Sequence, residues 1–233
     1  MRTILALSLC CFCLAAEATT PAPAAAATAP EIKPRKGVPV AAWDCGTMNP
    51  TTKIIKPAAG KVTLTGEGAP DMYEKRAVWR LKDGESLVAK LSEGPLADGQ
   101  PFAIEIELVP DGTVKSALAG LIQSGDYLKS GIRMMLRPDL KVSIEHFSGN
   151  GQEKATYLTT AAPLAVGKMQ NLRYEHDGTQ GRLFVDGVLS AAKDCPPCAP
   201  WKGNLAVGTA GGKQYWYYGA VGRIVLYGLP AER

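Results

Sequence analysis

The stretch RLFVDGVLS, residues 182–190, is an apolar run broken at its midpoint by Asp186-Gly187. A continuous buried strand would not place two poor strand formers at its centre. A chain reversal would, because Asp-Gly accepts the positive φ angles of a type I′ turn, whose twist matches that of antiparallel strands. The spacing predicts a hairpin of Arg182–Val185 and Val188–Ala191, with Val185 opposite Val188 and Phe184 opposite Leu189. A second turn, at Asp177-Gly178, joins Leu172–His176 to the same sheet and completes a three-stranded meander. Calcium ligation is the other use of a carboxylate beside a glycine turn. Asp186 has no partner carboxylates at recognisable spacing, so calcium gains no support and the turn is the better reading.

Outward from the hairpin, the same punctuation recurs. In PFAIEIELVPDG, Phe102, Ile104, Ile106 and Leu108 share one face and Glu105 and Glu107 the other, up to Pro110-Asp111-Gly112. That period of two marks a half-buried strand. GIRMMLRPD repeats it, with Ile132, Met134 and Leu136 set against Arg133, Met135 and Arg137. KVSIEHF, QNLRYEHDG, NLAVGTA and GRIVLYG continue the series. No stretch beyond the N-terminal segment has helical periodicity, and no internal repeat is visible. Short strands divided by Gly, Pro and Asp clusters imply an all-β sandwich or barrel.

The N-terminus has a different grammar. Met1-Arg2, the apolar ILALSLCCFCLAA and Ala16-Glu17-Ala18 have the layout of a secretory signal peptide over residues 1–18. The apolar segment is too short to span a bilayer, and no other segment is a candidate span. Lipidation at Cys10, Cys11 or Cys13 is disfavoured, because Leu9, Cys10 and Phe12 precede them in place of a small residue. Residues 19–37, TTPAPAAAATAPEIKPRKG, lack the bulky apolar groups that offset ordering entropy and read as a flexible linker. The folded domain is expected over 38–229, in a secreted, periplasmic or cell-surface protein. A net charge of +4 with no Lys/Arg run gives no sign of a nucleic-acid partner.

Three cysteines follow the leader: Cys45, Cys195 and Cys198. In an oxidising compartment they predict one disulfide and one free thiol, the pairing left open. Cys195-Pro196-Pro197-Cys198 invites a redox reading, but Pro-Pro prevents the helical turn that lowers the thiol pKa in such motifs. His146 and His176 show no zinc-like spacing to the cysteines, so no metal and no cofactor is expected.

VGKMQNLRYEHDGTQGRLFVDGVL resembles the segment of laminin-G-like, concanavalin A-type jelly-roll domains that runs Gly-x-Trp, strand, Asp-Gly, strand, Asp-Gly, with Met169 at the usual Trp. VAAWDCG resembles the family's first strand, at Trp43 and Asp44. AVWRLKDGESLVA resembles its second, with the turn at Asp83-Gly84. PFAIEIELVPDG and YGAVGRIVLYG resemble later strands, so the likeness runs from about residue 39 to 228. It implies two antiparallel sheets packed face to face. The closing strand often carries an acidic pair in this family; here those positions hold Gly222 and Arg223.

Some members of this fold are β-glucanases, and the resemblance would place their carboxylate triad on one strand face. Glu105 and Glu107 are the nearest match, but Leu108, Val109 and Pro110 stand where a third acid should follow. The expectation is therefore a non-catalytic binding module. QYWYYG, residues 214–219, gathers Tyr215, Trp216, Tyr217 and Tyr218. In an extended chain Trp216 and Tyr218 would point to one side and Tyr215 and Tyr217 to the other, leaving some aromatic surface exposed. Tyr and Trp suit stacking on sugar rings or gripping a protein. Tyr215, Trp216 and Tyr218, with Arg133, Arg137 and Arg173 as groove-lining cations, are the candidate ligand residues. The expected partner is a carbohydrate, or alternatively an extracellular or cell-surface protein.

Overall fold

Asp186 and Gly187 adopt φ angles of +51° and +79°, the left-handed pair that a type I′ turn requires. Val185 lies opposite Val188 and Phe184 opposite Leu189, as the spacing predicts. The turn has a further anchor: the Asn171 N–H donates to Asp186 Oδ1 at 2.8 Å, which ties its tip to the next strand. The computed structural model describes residues 32–91, 100–125, 130–149, 151–199, 201, 203–211 and 214–230. The leader, 1–18, and most of the linker, 19–31, lie outside the described residues.

The first strands are β1 (Val38–Asp44), β2 (Ile54–Ile55), β3 (Leu64–Gly66), β4 (Ala69–Tyr73) and β5 (Arg76–Leu81). Then come β6 (Leu87–Leu91), β7 (Phe102–Pro110), β8 (Ala119–Ser124), β9 (Gly131–Leu136), β10 (Val142–Phe147) and β11 (Ala155–Thr159). The last are β12 (Gln170–His176), β13 (Gln180–Val185), β14 (Val188–Asp194), β15 (Gly203–Val207) and β16 (Gly219–Gly228). They form two eight-stranded antiparallel sheets. The first runs β14-β13-β12-β7-β16-β5-β4 with β1 also on β16, the second β11-β10-β9-β8-β15-β6-β3-β2. Non-consecutive neighbours in both give the crossing connections of a jelly roll.

Inward side chains of both sheets meet in one core. Ile104, Ile106, Leu172 and Ile224 of the first sheet pack with Met134, Leu136, Ile144 and Leu205 of the second. Each fully buried chain of this size stabilises the fold by roughly 1.5–3 kcal/mol. In β9 the alternation is real but both faces are covered: Ile132, Met134 and Leu136 join the core, while Arg133 and Met135 on the other face are also buried.

Two expectations are corrected here. Residues 214–218 form no strand. Their backbone makes isolated bonds instead of a ladder, with Gly120 N of β8 donating to Tyr215 O and Tyr217 N to Gly208 O. The side chains therefore do not alternate, and Tyr217 and Tyr218, adjacent in sequence, are both buried.

The expected disulfide is also not formed, since Cys45, Cys195 and Cys198 are free, buried thiols. Each has its own setting. Cys45 follows β1 among Asp44, Glu107 and Arg76, and burial above all raises its thiol pKa. Cys198 Sγ accepts from Trp201 Nε1 and faces the Gly131 carbonyl, each at 3.3 Å. Cys195 Sγ lies 3.7 Å from Tyr174 Oη.

Candidate functional site

Strand alternation puts Leu172 and Tyr174 of β12 into the core and turns Asn171, Arg173 and Glu175 to the opposite face. Their cross-strand partners bring chemistry with them. Arg173 pairs in register with Glu105 of β7, which in turn pairs with Val225 of β16, next to Tyr227. The outer face of the first sheet thus acquires a polar row across three strands.

Arg173 organises that row. Its Nε donates to Glu175 Oε1 at 2.7 Å, Nη1 to Glu105 Oε2 at 3.0 Å and Nη2 to the Arg35 carbonyl at 2.6 Å. The guanidinium lies 4.6 Å from the centre of the Tyr227 ring, a cation–π distance. Asn171 Nδ2 donates to Glu105 Oε1 at 2.9 Å, and the Arg35 N–H to Glu175 Oε1 at 2.8 Å. Hydrogen bonds to the two carboxylates hold the Arg173 proton more tightly than usual, outweighing the opposing effect of burial. Burial, then Glu105, raises the Tyr227 phenol pKa above its ordinary value, so the ring stays neutral near pH 7.

The end of the stretch read as a linker takes part in this arrangement. Residues 34–37 run along the sheet, held by both Arg35 backbone groups and by Arg35 Nη2 on the Pro230 carbonyl. Between this segment, the Asp186-Gly187 turn and Tyr227 lies an open cleft of about 730 Å³. Glu105, Asn171 and Arg173 are in its lining, along with Lys36, which is exposed. The cleft offers donors, acceptors and one half-buried aromatic ring, all on rigid strands or a pinned segment.

The candidate residues from sequence are divided between places. Arg173 belongs to the cleft. Arg133 sits on the outer face of the other sheet, ion-paired with Glu145 and 5.4 Å from the Phe147 ring centre. Arg137, in the turn after β9, is exposed and pairs with Asp139 at 3.3 Å. Tyr215 and Trp216 are half-buried in the loop before β16, and Tyr218 packs under Lys115 at 4.6 Å. The three arginines therefore do not line one groove. Glu105 and Glu107 share a strand face but have separate guanidinium partners, Arg173 at 3.0 Å and Arg76 at 2.5 Å.

Sequence reading missed Arg35, Asn171 and Tyr227 as parts of one site. Only the β7–β12 and β7–β16 registers, which join residues far apart in the chain, could have signalled it.

Residues 83–230 match the family described as the concanavalin A-like lectin/glucanases superfamily. The chain belongs to this superfamily. Among solved structures, the receptor binding domain of botulinum neurotoxin D is similar to this lectin/glucanase-type chain at a TM-score of 0.63 and 10% identity, over 83% of this chain and 50% of that one. The binding domain of botulinum neurotoxin DC, solved in complex with SialylT, gives 0.61 and 10% over 83% and 48%. Domain 4 of AbnA, a GH43 extracellular arabinanase from Geobacillus stearothermophilus solved with arabinotriose, gives 0.57 and 14% over 84% and 95%. The chain spans about half the length of the neurotoxin domains and nearly all of the arabinanase domain. At these identities the likeness is one of fold. No curated protein sequence matches the chain. Among the described residues no helix is long and apolar enough to cross a membrane.

Proposed function

We propose that this chain is an exported, non-catalytic carbohydrate-binding module whose ligand lies in the cleft over β7, β12 and β16. The observation that carries the reading is the cleft's composition: one half-buried tyrosine ring beside fixed amide, carboxylate and guanidinium groups. Sugars present hydroxyl groups that both donate and accept, with an apolar C–H face. A rigid polar row flanked by an aromatic ring matches both requirements. The neurotoxin and arabinanase domains, solved with SialylT and arabinotriose, support a saccharide as the ligand class. The pairing of Glu105 and Glu107 with separate arginines favours binding over hydrolysis, because a retaining pair must act together on one bond. Export rests on the leader-like sequence of residues 1–18.

A glycan array probed with the purified chain tests this. Binding is expected to some oligosaccharides and to fall about tenfold or more in Tyr227→Ala, the equivalent of roughly 1.4 kcal/mol. Trp216→Ala, in the separate aromatic loop, should leave it unchanged. The reverse pattern would move the site to that loop and overturn the cleft assignment. A folded chain that binds no glycan but captures a protein partner would replace the carbohydrate reading with a protein-interaction one.

A further inference from the structure

Away from the cleft, the fold gathers residues whose sequence spacing gave no sign of a shared role. His146 of β10, His176 at the end of β12 and Cys195 just after β14 are all buried. One donor atom from each lies within 4.8 Å of the others. The two imidazole rings are tilted at 39° with centroids 4.6 Å apart.

The hydrogen bonds fix what each ring offers. His146 Nε2 is 2.9 Å from the Pro196 carbonyl, and His176 Nε2 is 3.2 Å from the Cys195 carbonyl. A carbonyl can only accept, so each Nε2 carries the proton and each Nδ1 bears a lone pair. Tyr174 Oη, 2.8 Å away, donates to the His146 Nδ1. His176 Nδ1 is buried with no hydrogen-bond partner among the described residues. A buried acceptor without a partner carries a desolvation cost. Backbone carbonyls that orient imidazoles through the far nitrogen are also the outer shell that metal-binding histidines use.

We propose that His146 Nδ1, His176 Nδ1 and Cys195 Sγ form a binding site for a thiophilic divalent ion of the Zn²⁺ type. The donor set, two imidazoles and a thiolate, suits such an ion rather than calcium or magnesium, which take oxygen. Bonds of about 2.0–2.3 Å put neighbouring donors in a tetrahedral site roughly 3.3–3.6 Å apart, so donors that lie within 4.8 Å close by at most about 1.5 Å around the ion. The ion would take the His146 Nδ1 lone pair that now accepts from Tyr174 Oη, so that hydrogen bond breaks on binding and frees the hydroxyl, which also lies 3.7 Å from Cys195 Sγ.

Each Nε2 proton is held on a backbone carbonyl, so neither imidazole has a proton to lose when its Nδ1 lone pair binds the ion. Cys195, a free thiol, does have one. Forming the metal–sulfur bond breaks the S–H bond, and one proton leaves for solvent with each ion bound. A cleft of about 370 Å³ lined by Asp194, Cys195, Pro196 and Pro197 lies on the surface beside the cluster. Gly181 keeps the pocket open, since a Cβ there would lie 2.6 Å from Tyr174 Oη and 3.1 Å from Cys195 Sγ.

The test uses the full chain carrying Cys10→Ser, Cys11→Ser and Cys13→Ser, stripped with chelator and titrated with Zn²⁺ by equilibrium dialysis. One ion per chain is expected, with release of one proton in a weakly buffered titration and a higher melting temperature. Co²⁺ in place of Zn²⁺ should give a sulfur-to-metal charge-transfer band. Cys195→Ser should abolish the band, and Cys195→Ser and His176→Gln should each weaken binding at least tenfold. Cys45→Ser should leave the Zn²⁺ stoichiometry, the affinity and the Co²⁺ band unchanged, and near-UV circular dichroism of the metal-free variants establishes that they fold. Failure to bind micromolar Zn²⁺, or undiminished binding by folded Cys195→Ser or His176→Gln, would overturn the proposal.

Discussion

Replacing Arg173 by methionine keeps much of the side-chain volume and removes the charge and all its donors. Arg173 is only 7% exposed, and Glu175, which it contacts at 2.7 Å, is 1% exposed. The substitution removes the guanidinium of Arg173 from both carboxylates, while the Arg35 N–H stays on Glu175 and the Asn171 amide on Glu105. Removing one partner of a buried ion pair costs about 3–5 kcal/mol, because the remaining charge stays buried. Glu105 is partly open to water, which places the expected loss near the lower end, about 3 kcal/mol. With a urea m-value of about 2 kcal/mol per M, the midpoint should drop by about 1.5 M. Adding Glu175→Gln removes the stranded charge and should restore a large part of the loss. The Arg35 carbonyl also loses its donor, so trypsin should cut after Arg35 or Lys36 sooner in the variant. A loss below about 1 kcal/mol, or a double variant no more stable than the single one, would refute the view that this network holds the cleft together.

Two further outcomes follow from the buried groups. His146 titrates near 3 in the folded chain and near 6.5 when unfolded, so between those values the unfolded state binds the extra proton. Stability therefore falls on acidification through that window, at up to about 1.4 kcal/mol per pH unit, and this contribution levels off below it. Urea midpoints taken from pH 7 to pH 4 should show a shallower decline for His146→Gln than for the parent; parallel curves would contradict the assignment. Iodoacetamide followed by peptide mapping should leave Cys45, Cys195 and Cys198 unmodified in the native chain and label all of them in urea. A non-reduced peptide linking any two of these cysteines would contradict the free-thiol arrangement.

The parts of the fold legible in sequence are those governed by local rules. Asp186-Gly187 is a turn because few residues tolerate its φ values, and Ile104, Ile106 and Leu108 face inward because strand side chains alternate. Local rules failed at QYWYYG, where alternation presumes a strand and the loop's backbone bonds lie elsewhere. They gave no sign that Arg35, in a stretch whose composition reads as linker, has its backbone N–H on Glu175 and its carbonyl on Arg173. They also missed Met135, a strand residue buried on the face opposite the core.

The amino-acid order by itself thus determined that the chain alternates, reverses at glycine-aspartate corners and stacks two sheets, since each of these depends on neighbours within a few residues. Only the tertiary structure decided which polar residues share a site. Arg173 meets Glu105 and Arg35, and His146 meets His176 and Cys195, through strand pairings and loop returns that span long stretches of chain. Those registers are set by how the whole core packs, and no short window of sequence contains that information.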